Sequence, residues 1–194
     1  MNEVHRATRD DLRPITETLA RAFHDDPVVV HIQGGTYDER RSRLGFEMLG
    51  RNMLDHGEVL RTEGFEAAAL WARPGEWRVP VTGIVRTLHL TLAAYRFGIF
   101  RALSWLSRVE KVHPDEPHYY LEVLGTDPVH QGRGFGAALV TPMLDRADDE
   151  KVGAYLESSK ASNVPYYRRF GFEVVRELTH RTAPTVWTMW RDPR

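Results

Sequence analysis

The chain contains no cysteine. A disulfide framework, a zinc–thiolate site and a catalytic thiol are therefore excluded. Excess charge is also missing: 26 Lys and Arg face 27 Asp and Glu. A surface that tracks nucleic acid needs a basic excess, so no nucleic-acid partner is expected. No apolar run reaches the roughly 20 residues that a membrane span requires. The nearest candidate, residues 84–106, is broken by Arg86, His89, Arg96 and Arg101. It reads instead as an amphipathic helical pair covering a core. The opening residues have no apolar stretch behind them and read as a mature cytosolic protein. There is no fixed-period repeat, low-complexity stretch or long linker. No two histidines have the tight helical spacing of a zinc protease, so no metal is expected.

What is present is ordinary globular composition. Hydrophobic residues make up 42% and charged residues 27% of 194, enough for one domain over 1–194. Residues 4–8 read as a strand. Thr8 to Asp11 read as a helix start whose short polar side chains accept free N–H groups, with the helix running to about Phe23. His24-Asp25-Asp26-Pro27 stops it. A second helix is predicted over 37–55, with Gly57 as a left-handed cap. Residues 58–62 and 67–71 read as antiparallel strands around Gly64. Residues 83–111 read as two helices meeting near Gly98. The remainder alternates: strand 119–125, helix 134–149 with Pro142 inside it, strand 153–158, helix 163–170, then strands 172–176 and 185–190. That order is an α/β pattern.

The informative segment is Leu121-Glu122-Val123-Leu124-Gly125-Thr126-Asp127-Pro128-Val129-His130-Gln131-Gly132-Arg133-Gly134-Phe135-Gly136-Ala137. A strand enters a glycine-rich turn that opens a helix. Backbone N–H groups there point outward with no side chain in the way, and the positive helix end suits a diphosphate. Arg133 adds a cation. Glycines alone also fit a plain tight loop. The second segment, Asn163-Val164-Pro165-Tyr166-Tyr167-Arg168-Arg169-Phe170-Gly171-Phe172, gives the first its weight.

Together the two resemble the GNAT superfamily of acyl-CoA-dependent N-acyltransferases. The family's Gln/Arg-x-x-Gly-x-Gly/Ala signature stands here as Gln131 to Gly136. Its second signature stands as Asn163, Tyr167, Gly171 and Phe172. Arg6 to Asp11, Leu156 to Ser159 and Thr185 to Arg191 look like the puromycin N-acetyltransferase group of bacterial enzymes. The likeness is poor between about Pro74 and Val112, a region that shapes the acceptor pocket in this superfamily, so the acceptor does not carry over.

The resemblance implies an α/β (α+β) GNAT fold. Its mixed, mostly antiparallel sheet has two splayed central parallel strands, 119–125 and 153–158, with helices on both faces. Acetyl-CoA would be the co-substrate, without a metal. Leu124, Gly125 and Thr126 would pair with the pantetheine arm, and Gly125 fits a bulge. Backbone N–H groups of Gln131, Gly132, Arg133, Gly134, Phe135, Gly136 and Ala137 would hold the pyrophosphate, and Asn163 the pantetheine. Tyr167 takes the general-acid position, because a phenol can share its proton with a departing thiolate. Adjacent helix residues point about 100° apart, so Tyr166 is expected to pack. A backbone N–H near Leu124 would face the oxyanion.

The base stays open. Glu122 comes first, a carboxylate in an otherwise apolar strand, costly unless used or paired. Glu157 in the neighbouring strand and a water chain are alternatives. His118 and His130 flank the site and are expected to be surface or loop residues. Trp71, Trp77 and Trp105 read as core or pocket wall.

The expected function is transfer of an acetyl group to a primary amine, with a small molecule ahead of a protein lysine or N-terminus. GNAT domains often dimerise, so a homodimer is left open. Two rivals remain. One is a non-catalytic acyl-CoA sensor. The other is an NAD-dependent oxidoreductase, since Gly132-x-Gly134-x-x-Ala137 formally matches a Rossmann fingerprint. The long approach from the strand and the late position in the chain weigh against the latter.

Overall fold

In the computed structural model, residues 2–78 and 81–194 are described. Seven strands form one sheet: β1 (Val4–Arg6), β2 (Gly57–Thr62), β3 (Ala67–Ala72), β4 (His118–Thr126), β5 (Gly153–Ser158), β6 (Glu173–His180) and β7 (Ala183–Arg191). Their order is β1-β2-β3-β4-β5-β7-β6. Among the described residues only β4 and β5 run parallel. They are joined by helix α6 (Phe135–Asp149), the crossover that a parallel pair requires.

Both faces of the sheet are covered. On one, α6 buries Leu139, Val140, Met143, Leu144 and Ala147 against Trp71, Tyr119, Leu121 and Leu156. On the other, Ile15 and Leu19 of α1 (Leu12–Ala22) and Phe46 and Met53 of α3 (Glu39–His56) meet Ala68, Leu70 and Val123. Pro142 sits inside α6 as expected. Its cost of about 3 kcal/mol is offset by the five side chains that the helix buries, at about 1.5–3 kcal/mol for each large one. A buried carboxylate, Glu58, accepts from Arg6, Arg73 and Arg146 at 2.9, 3.0 and 3.2 Å. It ties β1, the loop after β3 and α6 to one point.

Four local expectations change. First, His24 to Pro27 not only stops α1 but starts a further helix, α2 (Pro27–Gln33). Asp26 accepts from both Val28 N–H and Val29 N–H at 2.9 Å, which overrides the strand preference of a valine run. Second, Gly57 is extended (φ −151°), not left-handed, because the chain passes directly from α3 into β2. Third, Asp11 gives α1 no side-chain cap; its carboxylate reaches back to Thr8 N–H and Oγ1, at 2.8 and 2.9 Å. Fourth, α4 (Val81–Tyr95) and α5 (Ile99–Glu110) do form a pair. Their outer faces nevertheless leave Val85, Leu88, Leu92, Phe100, Leu103 and Leu106 exposed.

Candidate active site

The parallel ladder between β4 and β5 ends at Leu121↔Leu156. Beyond it β4 continues to Thr126, still paired with β3 through Val123, Leu124, Gly125 and Thr126. The other edge of β4 is thus free of β5, and a cleft of about 840 Å³ opens there. Glu122, Leu124, Gly125, Thr126, Gln131, Gly132, Gly134, Phe135, Gly136, Ala137, Asn163 and Tyr167 all line it. Twelve of the thirteen candidate residues are therefore brought together. Arg133 is the exception. Its guanidinium pairs with the His130 ring at 3.1 Å and lies over Phe135, outside the cleft wall.

The loop entering α6 is fixed from below. Asp127 accepts from Arg21 at 2.6 Å and from Val129 N–H at 3.2 Å, while its own N–H bonds Glu66 O. Burial works against this carboxylate, yet the Arg21 and Val129 bonds hold it below its ordinary value. The chain then turns through Gly132 (φ +76°) and Gly134 (φ +82°), a left-handed backbone that side chains disfavour. Gly134 gives α6 no side-chain cap, so the first-turn N–H groups face the cleft. A side chain at Gly136 would collide with Tyr166, whose hydroxyl lies 2.8 Å from where a Cβ would stand.

The bulge lies at Glu122, not Gly125. Leu70 pairs with Val123 and Trp71 with Leu121, leaving Glu122 as the extra residue. Gly125 keeps a regular partner, Ala68; its bare α-carbon instead admits Leu19, 2.8 Å from a Cβ there. Leu121 belongs to the α6-side core, whereas Val123 belongs to the opposite one. The extra residue has shifted the alternation by one. Burial first, then the charge of Glu157, pushes the Glu122 carboxyl up to about 7.

His118 is not at the surface as expected. It is 2% exposed on β4. Its Nδ1 stands 2.6 Å from Glu116 O, which can only accept, so Nδ1 carries a hydrogen. Burial, with His113 nearby, holds its pKa below the usual value, so its Nε2 is a bare acceptor. His113 Nε2, 3.0 Å away, must then donate. That leaves His113 Nδ1 facing the buried Glu157 carboxylate at 3.6 Å, with neither atom otherwise bonded. Trp77 stacks on His113 at 3.8 Å and seals the chain. Sequence reasoning missed His113, because its partners come from β4, β5 and the loop after β3.

Tyr167 is buried at the start of the β6-side wall, in α7 (Val164–Arg168). Burial, then Tyr166 and Asp26, pushes its phenol well above its usual value, so it stays protonated. Tyr166 packs on Phe170 and Tyr167 as expected, yet its hydroxyl is buried without a partner on the cleft wall. Sequence reasoning also missed the far wall. Asp26 bonds Ser159, and Asp25 pairs with Lys160 at 2.6 Å, joining the end of α1 to the end of β5.

Comparison with known proteins agrees with this geometry. The Acetyltransferase (GNAT) family model matches residues 95–172. An uncharacterized N-acetyltransferase of Schizosaccharomyces pombe is 29% identical over 179 residues, 86% of this chain and 72% of that protein. The crystal structure of a histone acetyltransferase HPA2 and related acetyltransferase from Corynebacterium glutamicum superposes with a TM-score of 0.73. It is 25% identical, over 100% of this chain and 98% of that one. A Drosophila melanogaster polyamine N-acetyltransferase shares the fold, with a TM-score of 0.69 at 16% identity over 99% and 100% of the chains.

Proposed function

Because the chain belongs to the GNAT superfamily and is an acyltransferase, we propose that it carries acetyl from acetyl-CoA to a primary amine of a small molecule. The observation that carries this reading is the parting of β4 and β5 after Leu121 and Leu156. It brings a free strand edge, a glycine-rich helix start and a buried phenol to one cleft. Those parts fit the three pieces of an acyl-CoA. The α6 N-terminus, with Gly132, Gly134 and Gly136, suits the pyrophosphate. The free edge of Leu124 to Thr126 suits the amide-bearing arm, as an added strand. Asn163 lines the cleft beside it.

When bound, acetyl-CoA supplies a thioester carbon: the amine nitrogen bonds to it, the C–S bond breaks, and the sulfur leaves with its electron pair. Glu122 accepts the amine proton. With a pKa of about 7 it is charged in mildly alkaline solution and takes a proton readily there. Glu157 lines the same cleft, and its charge helps raise the Glu122 carboxyl. Tyr167, held protonated by burial, donates to the departing sulfur. The Leu124 backbone N–H faces the developing oxyanion. Such an enzyme works in the cytoplasm, where acyl-CoA is available. No described helix is long and apolar enough to cross a membrane.

The test is free-thiol release from acetyl-CoA across a panel of amines that includes puromycin and a lysine peptide. Tyr167→Phe is expected to lower kcat by about 10²–10⁴ while leaving acetyl-CoA affinity unchanged. A variant with undiminished kcat would remove Tyr167 from the mechanism. Acetyl-CoA binding with no release for any amine would favour the sensor reading.

A further inference from the structure

A second cavity, of about 520 Å³, lies between the end of α2, the outer face of α5 and the β6–β7 hairpin. His31, Arg101, Ser104, Arg108, His180 and Thr182 line it, and among the described residues no Asp or Glu does. Neither arginine makes an ion pair with a described residue. Arg108 Nε is buried with no hydrogen-bond partner. At the end of α2 the Gly34 and Gly35 N–H groups take His31 O and Val30 O, and Arg41 takes Gln33 O at 3.1 Å. Burial and the charges of Arg101, Arg108 and His180 hold His31 below its usual pKa. The cavity is a donor-rich, electropositive hollow.

Helix α2 is capped by Asp26, on the wall of the acyl-transfer cleft, and reaches His31 on the wall of the second cavity. Five residues of helix separate the two, on the order of 8 Å along the axis. The β6–β7 hairpin extends past Ser158, beyond the end where β4 and β5 part.

Resting on the acyl-transfer reading, we propose that the second cavity holds a carboxylate or phosphate at the far end of the acceptor molecule. Arg101 and Arg108 would engage the anion as charge-assisted donors, with His31 protonating as it binds. The acceptor is then an extended amine with an anionic tail, not a polycation. Both ends are held, so the amine is presented to Glu122 in one orientation.

The experiment compares ω-amino acids of roughly four to eight carbons, lengths suited to bridging about 8 Å of helix, with n-alkylamines of equal length. The amino acids are expected to be preferred by about 10–100-fold in kcat/KM, the worth of one charge-assisted bond. In Arg101→Gln/Arg108→Gln the preference should vanish through KM, with kcat on the alkylamine unchanged. In parallel, the His31 imidazole is followed by NMR while inorganic phosphate is added. Its pKa should rise in the wild type and stay fixed in the double variant. Phosphate should compete with the amino acid and leave alkylamine turnover alone. Equal use of both acceptor series would overturn the proposal, and so would phosphate that activates alkylamines, which marks a separate anion site. Absence of turnover with every amine, beside a positive His31 response, would instead defeat the acyl-transfer reading and leave the anion site standing.

Discussion

Replacing Glu122 with glutamine is expected to make the protein more stable and the enzyme worse. In the folded chain the carboxyl is pushed from an ordinary 4.5 to about 7, by burial and then by Glu157. A raised carboxyl pKa means that the native state prefers the neutral form. Below about pH 4.5 both folded and unfolded chains hold this proton, and the residue makes no difference to stability. As pH climbs, the unfolded chain releases it first, so stability falls until the folded group also ionises near pH 7. The gap between the two values, at about 1.36 kcal/mol per pH unit, sets a ceiling of about 3 kcal/mol. Partial access to solvent from the cleft lowers this toward about 1–2 kcal/mol. Glutamine keeps the shape and never ionises, so it escapes the whole loss. Urea unfolding of both proteins at pH 4.5 and pH 8 reads the effect. Glu122→Gln should match the wild type at the lower pH and exceed it at the higher. Meanwhile kcat/KM at pH 8 should fall about 10²–10⁴-fold, and the acid limb near pH 7 should disappear. A stability difference that is the same at both pH values would refute the argument, because a pH-independent change is packing, not charge.

Three further outcomes are expected. Asp148 is held at about 2 by Arg191, which donates to both carboxylate oxygens, at 2.7 and 2.6 Å. This depressed value stabilises the fold above the ordinary 3.8 and is lost as pH falls through about 2. Asp148→Asn should therefore cost about 1–2 kcal/mol at pH 7 in denaturant melts and cost little below pH 2. Gly136→Ala should weaken acetyl-CoA binding by about tenfold in calorimetry without unfolding the protein, because the new methyl meets Tyr166 at the cleft wall and not in the core. Nitrogen-15 spectra should show His118 with its hydrogen on Nδ1 and His113 with one on Nε2. The reverse assignment would leave His118 Nδ1 and Glu116 O as two acceptors face to face and refute the stated tautomers.

Much of the fold can be read locally. Strand β5 is found with its bounds, since Gly153-Ala-Tyr-Leu-Glu-Ser is an apolar run closed by turn residues. The α6 start is found because Gly132 and Gly134 supply a backbone that other residues resist. Twelve candidate residues meet at the cleft because they occupy two contiguous segments of chain. What escapes the sequence depends on partners distant in it. Helix α2 hides behind Val28-Val29-Val30, whose strand preference is outweighed by one doubly accepting aspartate. His118 looks like a loop residue until His113 and Glu116 arrive to satisfy both ring nitrogens. A bulge exists only relative to a neighbouring strand, so no reading of β4 alone could place it at Glu122.

That bulge makes the chemistry a matter of counting. The bulge absorbs one residue without an opposite number, so the side chains after Glu122 in β4 alternate out of phase with those before it. Deleting Glu122 itself would restore even alternation. Val123 would stay opposite Leu70 and Gly125 opposite Ala68, each on its present face, and only the carboxylate would be lost. Point substitution can tune the acidity of Glu122 but cannot move the strand edge that presents it. Change in this site can therefore come gradually through side chains, whereas its geometry can be altered only in whole-residue steps.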